Sequence, residues 1–451
     1  MRRIEIFLCG ILCCLPVTGF SQQVIVRNSQ VVQMVRQVSP DSLESYVHTL
    51  VAFGTRHTLS NQTDSREGIG AARNWVLGEF QRFAAKSDGR MTARIDYWQQ
   101  PADAHRVNRP IRMGNVMATL KGTDPGDDRI FIVSGHLDSR NTNIMDSTGA
   151  APGANDDASG VAALLEMARI MSAHSIRATV IFVAVTGEEQ GLLGSTHLAA
   201  AAKEGHWQVA AMLNNDMIGQ STSSGTDKHN NTRVRVFSEG VPAAETKQEA
   251  ALRKALGGEN DSRSRELARY IKNIAAQYVD NLTVQLIYRR DRFLRGGDHL
   301  PFQQRGFTAV RITDFYENYL HQHQDVRTVH DTLYGDLEKF MDFAYLRKNT
   351  CLNLATLASM ADAPSGPTQA KIDVSHLTND TRLFWKPPQY GSAKGYYVLM
   401  RETDAPMWQQ KFYTDKTSMT LPYSKDNYFF AIQSAGDSGL LSVPVFPGIG
   451  R

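Results

Sequence analysis

At 451 residues the chain is too long for one ordinary domain and reads as two, or as one large and one small. Hydrophobic residues make up 42% and charged residues 21%, which excludes a disordered chain. A formal net charge of +3 gives no reason to expect nucleic acid or an anionic membrane as partner. Only Cys351 lies beyond the first 21 residues, so an internal disulfide framework and an all-cysteine metal site are both excluded from the rest of the chain.

In chain order, Arg2 and Arg3 precede an apolar run from Ile6 to Val17 and a small, polar exit at Thr18 to Ser21. This layout predicts a signal peptide over residues 1–21 and a secreted or periplasmic protein. The run is too short to span a bilayer, so no integral membrane anchor is expected. Residues 22–56 have a mixed helical pattern, and a second amphipathic helix is predicted over Gly68 to Phe83. Strands and helices then alternate. Strands are predicted at Asn115–Gly122, Arg129–Ser134, Thr179–Val185, Val209–Asn214, Thr283–Tyr288 and Thr308–Ile312. Helices are predicted at Ala158–Ala173, Gly191–Ala202, Arg263–Val279 and Asp336–Met360. Such alternation predicts an α/β three-layer sandwich with a mostly parallel central sheet. The helical pattern ends at "ADAPSGPTQ", a linker around residues 363–369, and residues 370–451 change to short alternating strands that suggest a small β-sandwich.

Polar groups cluster at the carboxyl ends of the predicted strands, where α/β sheets collect function. "SGHLDS" places His136 and Asp138 just past a buried strand, with the imidazole free to bind metal while its second N–H is held by the acid. Taken alone, this motif more often marks a hydrogen-bonded structural pair than a metal ligand. "PGANDDASG" sets Asp156 and Asp157 before a helix, where acids commonly cap, but a carboxylate there can also bridge two metals. "TGEEQGLLGS" puts Glu188 and Glu189 after an apolar strand, a costly pair unless a cation compensates it. Asp216 ends another apolar strand in "LNNDMIG", and "NYLHQHQDVRTVHD" offers His321, His323 and His330 on a loop. Together these form a carboxylate-and-imidazole set suited to Zn²⁺. No nucleophile elbow of the G-x-S-x-G kind and no phosphate-binding P-loop is present.

Over about Asn115 to Asp325 the ordered motifs resemble the co-catalytic zinc aminopeptidases of the bacterial leucine aminopeptidase and aminopeptidase Y type, a broad family that also holds glutamate carboxypeptidases and glutaminyl cyclases. The resemblance implies a zinc exopeptidase-like fold and two Zn²⁺ ions bridged by Asp156. His136 and Asp216 would complete one site, and Glu189 with His321 the other. It makes Glu188 the general base and Asp138 the partner that orients His136. "GGDHLPF" (Gly296 to Phe302) matches a segment near the substrate, with Gly297 in place of Ser. The family's last histidine is followed four residues later by Asp; His321 with Asp325 has that spacing, and His323 and His330 are the alternatives. The expected substrates are peptide or protein N-termini. A carboxypeptidase or dipeptidase, a glutaminyl cyclase and a non-catalytic binding protein are the alternatives. Trp385, Tyr396, Tyr397 and Tyr428 give the C-terminal segment a resemblance to a fibronectin type III module.

Overall fold

The computed structural model describes residues 27–103 and 105–450; the expected signal peptide lies outside the described residues. Helices α1 (Ser29–Arg36), α2 (Pro40–Ala52) and α3 (Gly68–Ala84) come first. Asn28 and Ser39 cap the first two by accepting the N–H of Val31 and Ser42. An antiparallel pair follows, β1 (Met91–Gln100) and β2 (Ile111–Leu120). The chain then alternates through β3 (Arg129–His136), α4 (Ala158–Met171), β4 (Thr179–Val185), α5 (Leu193–Glu204) and β5 (Gln208–Asn215). It continues through β6 (Arg233–Phe237), α6 (Lys247–Leu256), α7 (Arg263–Tyr278), β7 (Thr283–Ile287), the short α8 (His299–Gln304) and β8 (Ala309–Asp314). A small hairpin, β9 (Arg327–Val329) and β10 (Thr332–Tyr334), precedes the long α9 (Phe343–Asp362).

Eight strands form one mixed sheet in the order β1-β2-β4-β3-β5-β8-β6-β7. Its centre, β4-β3-β5-β8, is parallel throughout. These strands are buried almost end to end, and "IFIV" and "VIFVAV" are continuous apolar runs because both faces are covered. On one face α2, α3, α4, α7 and α9 share a core that includes Val133, Leu164, Phe182 and Leu354. On the other, α5 and α8 close a smaller core around Ile132, Val183, Leu198 and Phe302. The expected three-layer α/β architecture is therefore observed. The connection from β3 to β4 runs through α4, and that from β4 to β5 through α5 on the opposite face. The chain thus reverses direction across the sheet at β3, and a crevice opens at the carboxyl ends of the strands.

Seven further strands follow α9: β11 (Pro367–Asp373), β12 (Thr381–Pro388), β13 (Gly395–Glu402), β14 (Gln410–Thr414), β15 (Ser418–Leu421), β16 (Tyr428–Ala435) and β17 (Gly448–Gly450). They form a four-stranded sheet, β15-β12-β11-β17, and a three-stranded one, β14-β13-β16. The two enclose a core in which Trp385 meets Tyr396 edge-on at 5.3 Å. Tyr397 is not part of that core; its ring lies against Tyr413, which is exposed. Among the described residues no helix is long and apolar enough to cross a membrane.

Candidate metal centre

Four of the expected residues are delivered to one place by the strand ends. His136 is the last residue of β3, Glu188 and Glu189 follow β4, Asp216 follows β5, and Asp156 sits two residues before α4. The carboxylate of Asp156 faces two ways. Its Oδ1 lies 2.9 Å from His136 Nε2, which is also 3.9 Å from Asp216 Oδ1. Its Oδ2 lies 3.0 Å from His323 Nε2, which is 2.9 Å from Glu189 Oε1. In each trio one ligand atom per residue lies within 4.8 Å of the other two. Despite these short separations, His136 Nε2 and Glu189 Oε1 make no directed hydrogen bond. Buried polar atoms without partners are costly, and atoms that crowd a common point without bonding to each other suit a shared cation. The donor set, imidazole nitrogen and carboxylate oxygen, is one that Zn²⁺ accepts.

The expected last ligand is corrected by this geometry: His323, not His321, joins Asp156 and Glu189. A tight turn carries the N–H groups of His321 and Gln322 to Asn318 O, and His323 then adopts a left-handed backbone at φ 56°. His321 is stacked on Phe340 with ring centroids 3.8 Å apart. It lines a small polar cavity behind Asp156 with Gln220, Asp314 and Gln322. Asp325, whose spacing favoured His321, instead pins the turn to Thr142, accepting its N–H at 3.1 Å and donating its own to the Thr142 hydroxyl at 3.1 Å. His330 is exposed between β9 and β10.

Asp138 also departs from its expected part. His136 Nδ1 bonds to the backbone carbonyl of Asp138 at 2.9 Å, while the Asp138 carboxylate stands 3.8 Å away. A carbonyl only accepts, so Nδ1 carries the proton and Nε2 turns toward the cluster. The Asp138 carboxylate accepts N–H bonds from Gly187, Glu188 and Glu189 at 2.9, 3.2 and 3.1 Å, and the hydroxyl of Thr58 at 2.8 Å. Its effect is to shape the turn that presents the glutamates.

Three groups support the centre, of which the sequence marks only Asp157, as a helix cap. Asp336 accepts the N–H of Asn155 at 3.0 Å and of Asp156 at 2.7 Å, fixing the bridging carboxylate's backbone. Asp157 caps α4 at Gly160 and ties it to β3 and β5 through the N–H groups of His136 and Met217. The buried Arg311 on β8 reaches Asp216 Oδ2 at 2.9 Å. An acid before a helix hints at the cap, but Asp336 lies 180 residues from Asp156 and carries no motif.

The electrostatics follow from that crowding. Burial alone would raise Asp156 and lower the two histidines. The close opposite charges among them reverse both trends, holding Asp156 well below the usual carboxylate range and His323 up at about 9. His136 is likewise held well above its ordinary value by Asp156 and Asp216, against the effect of burial. Burial, with repulsion from Asp216 and Glu189, raises Glu188 well above the usual carboxylate range. Asp298, buried beside Ser195, is pushed up to about 7. A cluster of this sign retains cations, either as protons on its histidines or as metal.

Relatives of known family and structure identify the fold and the family. The model of peptidase family M28 matches residues 115–341, a span that contains every residue of both trios. A probable zinc metalloprotease of Leptosphaeria maculans is 45% identical over 92% of this chain and 96% of its own length. Another, from Pyricularia oryzae, is 45% identical over 91% of this chain and 83% of its own length. Among solved structures, the LapA aminopeptidase of Legionella pneumophila superposes with a TM-score of 0.52 at 15% identity, covering 76% of this chain and 78% of that one. A glutaminyl cyclase of Macrostomum lignano gives 0.51 at 16% identity, covering 74% of this chain and 92% of that one, so the fold is shared across different chemistries. With the family span enclosing the cluster and near-full-length zinc metalloprotease relatives, the chain belongs to peptidase family M28.

Proposed function

We propose that the chain is an exported aminopeptidase that holds two zinc ions, one among His136, Asp156 and Asp216 and one among Asp156, Glu189 and His323. The observation that carries this reading is the Asp156 carboxylate, which turns one oxygen to each trio. Bound there, the two ions supply an acidified water and a pull on the scissile carbonyl. Glu188 stands outside both trios, on the turn that the Asp138 carboxylate organises. It is free to take a proton from the attacking water and return it to the leaving amine. The acids Asp138, Asp157 and Asp298 are buried around His136 and Asp216, and the buried Arg311 pairs with Asp216. Cleavage from the N-terminal end is taken from the resemblance of the ordered motifs to zinc aminopeptidases. Export rests on Arg2, Arg3 and the apolar run from Ile6 to Val17. The C-terminal sandwich is read as a fibronectin type III-like module on the strength of its Trp385–Tyr396 core.

Mass spectrometry of free, N-acetylated and C-amidated peptides incubated with the zinc-loaded protein tests the assignment. Trimming from the N-terminus that acetylation blocks is the expected result, and release from the C-terminus would replace it with a carboxypeptidase. The Glu188→Gln protein should retain its zinc and lose about 10²- to 10⁴-fold in turnover. Near-normal turnover at full metal content would remove Glu188 from the base role.

A further inference from the structure

The loop between β7 and α8, residues 288–297, is the most basic stretch at the crevice, and buried contacts fix it at several points. His299 Nε2 donates to Arg290 O at 2.7 Å, and Arg311 Nη1 donates to Gly296 O at 2.7 Å. Arg292 pairs with Glu317 at 2.9 Å and lies near Asp291. Arg290 reaches Gln303, and Arg289 covers the ring of Phe293. Arg295 is different. It is exposed, forms no ion pair among the described residues, and its Nη1 lies 3.3 Å from Nδ1 of His323. A His323 that coordinates through Nε2 keeps its proton on Nδ1, and a guanidinium has only donors. The two therefore cannot bond in the metal-loaded protein, which leaves the exposed Arg295 guanidinium free at the mouth of the cleft. A second cation touches the same ligand pair: Arg106 Nη1 donates to the backbone carbonyl of Glu189 at 2.8 Å and has no carboxylate partner among the described residues. The cleft is thus polarised, with acids gathered around Asp216 and unpaired arginines beside Glu189 and His323.

We propose that Arg295, assisted by Arg106, binds a carboxylate of the substrate close to the scissile bond, so that the enzyme selects peptides carrying an anion there. The guanidinium fork matches a carboxylate in shape and charge, and beside a partly desolvated cleft such a pair discriminates acid from amide. Phe293 and Leu294, 78% and 105% exposed at the same loop tip, give the adjoining substrate chain an apolar surface. The inference rests on the peptidase reading and deepens it.

Three pairs of peptides distinguish the sources of the carboxylate: Glu against Gln as the first residue, Glu against Gln as the second, and a dipeptide acid against its amide. In at least one pair kcat/KM should favour the acid by roughly 10- to 100-fold, and Arg295→Gln should collapse that ratio toward one while zinc content stays constant. Calorimetric binding of the same pairs to zinc-loaded Glu188→Gln protein gives a readout independent of turnover. An acid-to-amide ratio near one in all three pairs, or one that survives Arg295→Gln, overturns the proposal. Should no peptide be cleaved, the peptidase reading fails, and the binding ratios still decide whether Arg295 captures a carboxylate.

Discussion

Among the three histidines of the 321–330 segment, the backbone makes the choice. His323 at φ 56° brings Nε2 to Asp156 and Glu189, whereas His321 stacks on Phe340. His323→Ala should therefore lose about half the bound zinc, and His321→Ala should keep both equivalents; elemental analysis of the purified proteins decides, and the opposite pattern would restore His321. Spacing misled here because Asp325 serves Thr142, a tertiary contact that no local motif announces. A second single-residue consequence concerns acid stability. His299 is wholly buried, and burial pushes it down to about 4, against ~6.5 in an unfolded chain. Between those values the unfolded state binds the extra proton. Stability contributed by this site is thus intact above about pH 6.5 and drains as the pH falls toward 4, by up to about 3 kcal/mol. His299→Gln retains a donor for Arg290 O without a charge to bury. Its urea midpoint should fall less between pH 7 and pH 4.5 than that of the unsubstituted protein, and an equal fall would show that His299 is not a source of the acid sensitivity.

At the level of elements, the site depends on how closely α4 seats on β3. A methyl group at Gly135 would stand 2.6 Å from the backbone carbon of Gly160, and one at Gly160 would meet Asp157 Oδ2 at 2.4 Å and Asn215 O at 2.7 Å. The neighbours of Gly135 are backbone, and the Asp157 carboxylate is held by the N–H groups of His136, Gly160 and Met217, so neither site yields readily. Gly135→Ala should push the start of α4 away from the sheet, moving Asp156 relative to His136. The expected cost is about 1–3 kcal/mol, with a disproportionate loss of zinc affinity. Thermal melts and zinc titration measure the two separately; unchanged values in both would mean that the helix accommodates the methyl. The central strands and α4 were legible because parallel strands covered on both faces leave long apolar runs, and α4 has a strong helical period. Strands β1 and β6 were not anticipated. The first alternates polar and apolar residues at the sheet edge, and the second, "RVRVF", is short and charged on one side. Helix α6 has no buried residue, so no apolar stripe marks it.

Across the whole molecule, the metal-centre residues converge because four parallel strands end on one side of the sheet. That much followed from motifs placed after apolar runs. What braces the centre did not, since Asp336 and Arg311 reach it from distant segments and their charge pairs exist only after folding. The same holds for the C-terminal sandwich, whose sequence says nothing of where it docks. It settles on α7 and the turn before it, where Arg401 meets both oxygens of Asp261 at 2.7 Å. Trp408 Nε1 donates to Glu266 at 3.0 Å, and the Tyr270 hydroxyl donates to Leu441 O at 3.0 Å. Tyr288, at the root of the loop that carries Arg295, donates to Pro406 O at 3.1 Å. The sandwich thus buttresses one wall of the crevice as well as the helix beneath it. Arg401 and Asp261 are both nearly inaccessible to solvent, so removing the guanidinium leaves a buried carboxylate that, among the described residues, retains only Arg269 as its cationic partner. Breaking a buried pair costs about 3–5 kcal/mol, and the remaining partner should keep Arg401→Ala near the lower bound. Calorimetry of the unsubstituted protein should show one cooperative transition. In Arg401→Ala that transition should fall by several degrees and split as the sandwich melts away from α7. A single unshifted transition in the variant would mean that the clamp adds nothing to the coupling, and that the remaining contacts, among them the hydrogen bonds of Trp408, Tyr270 and Tyr288, suffice to hold the two parts together.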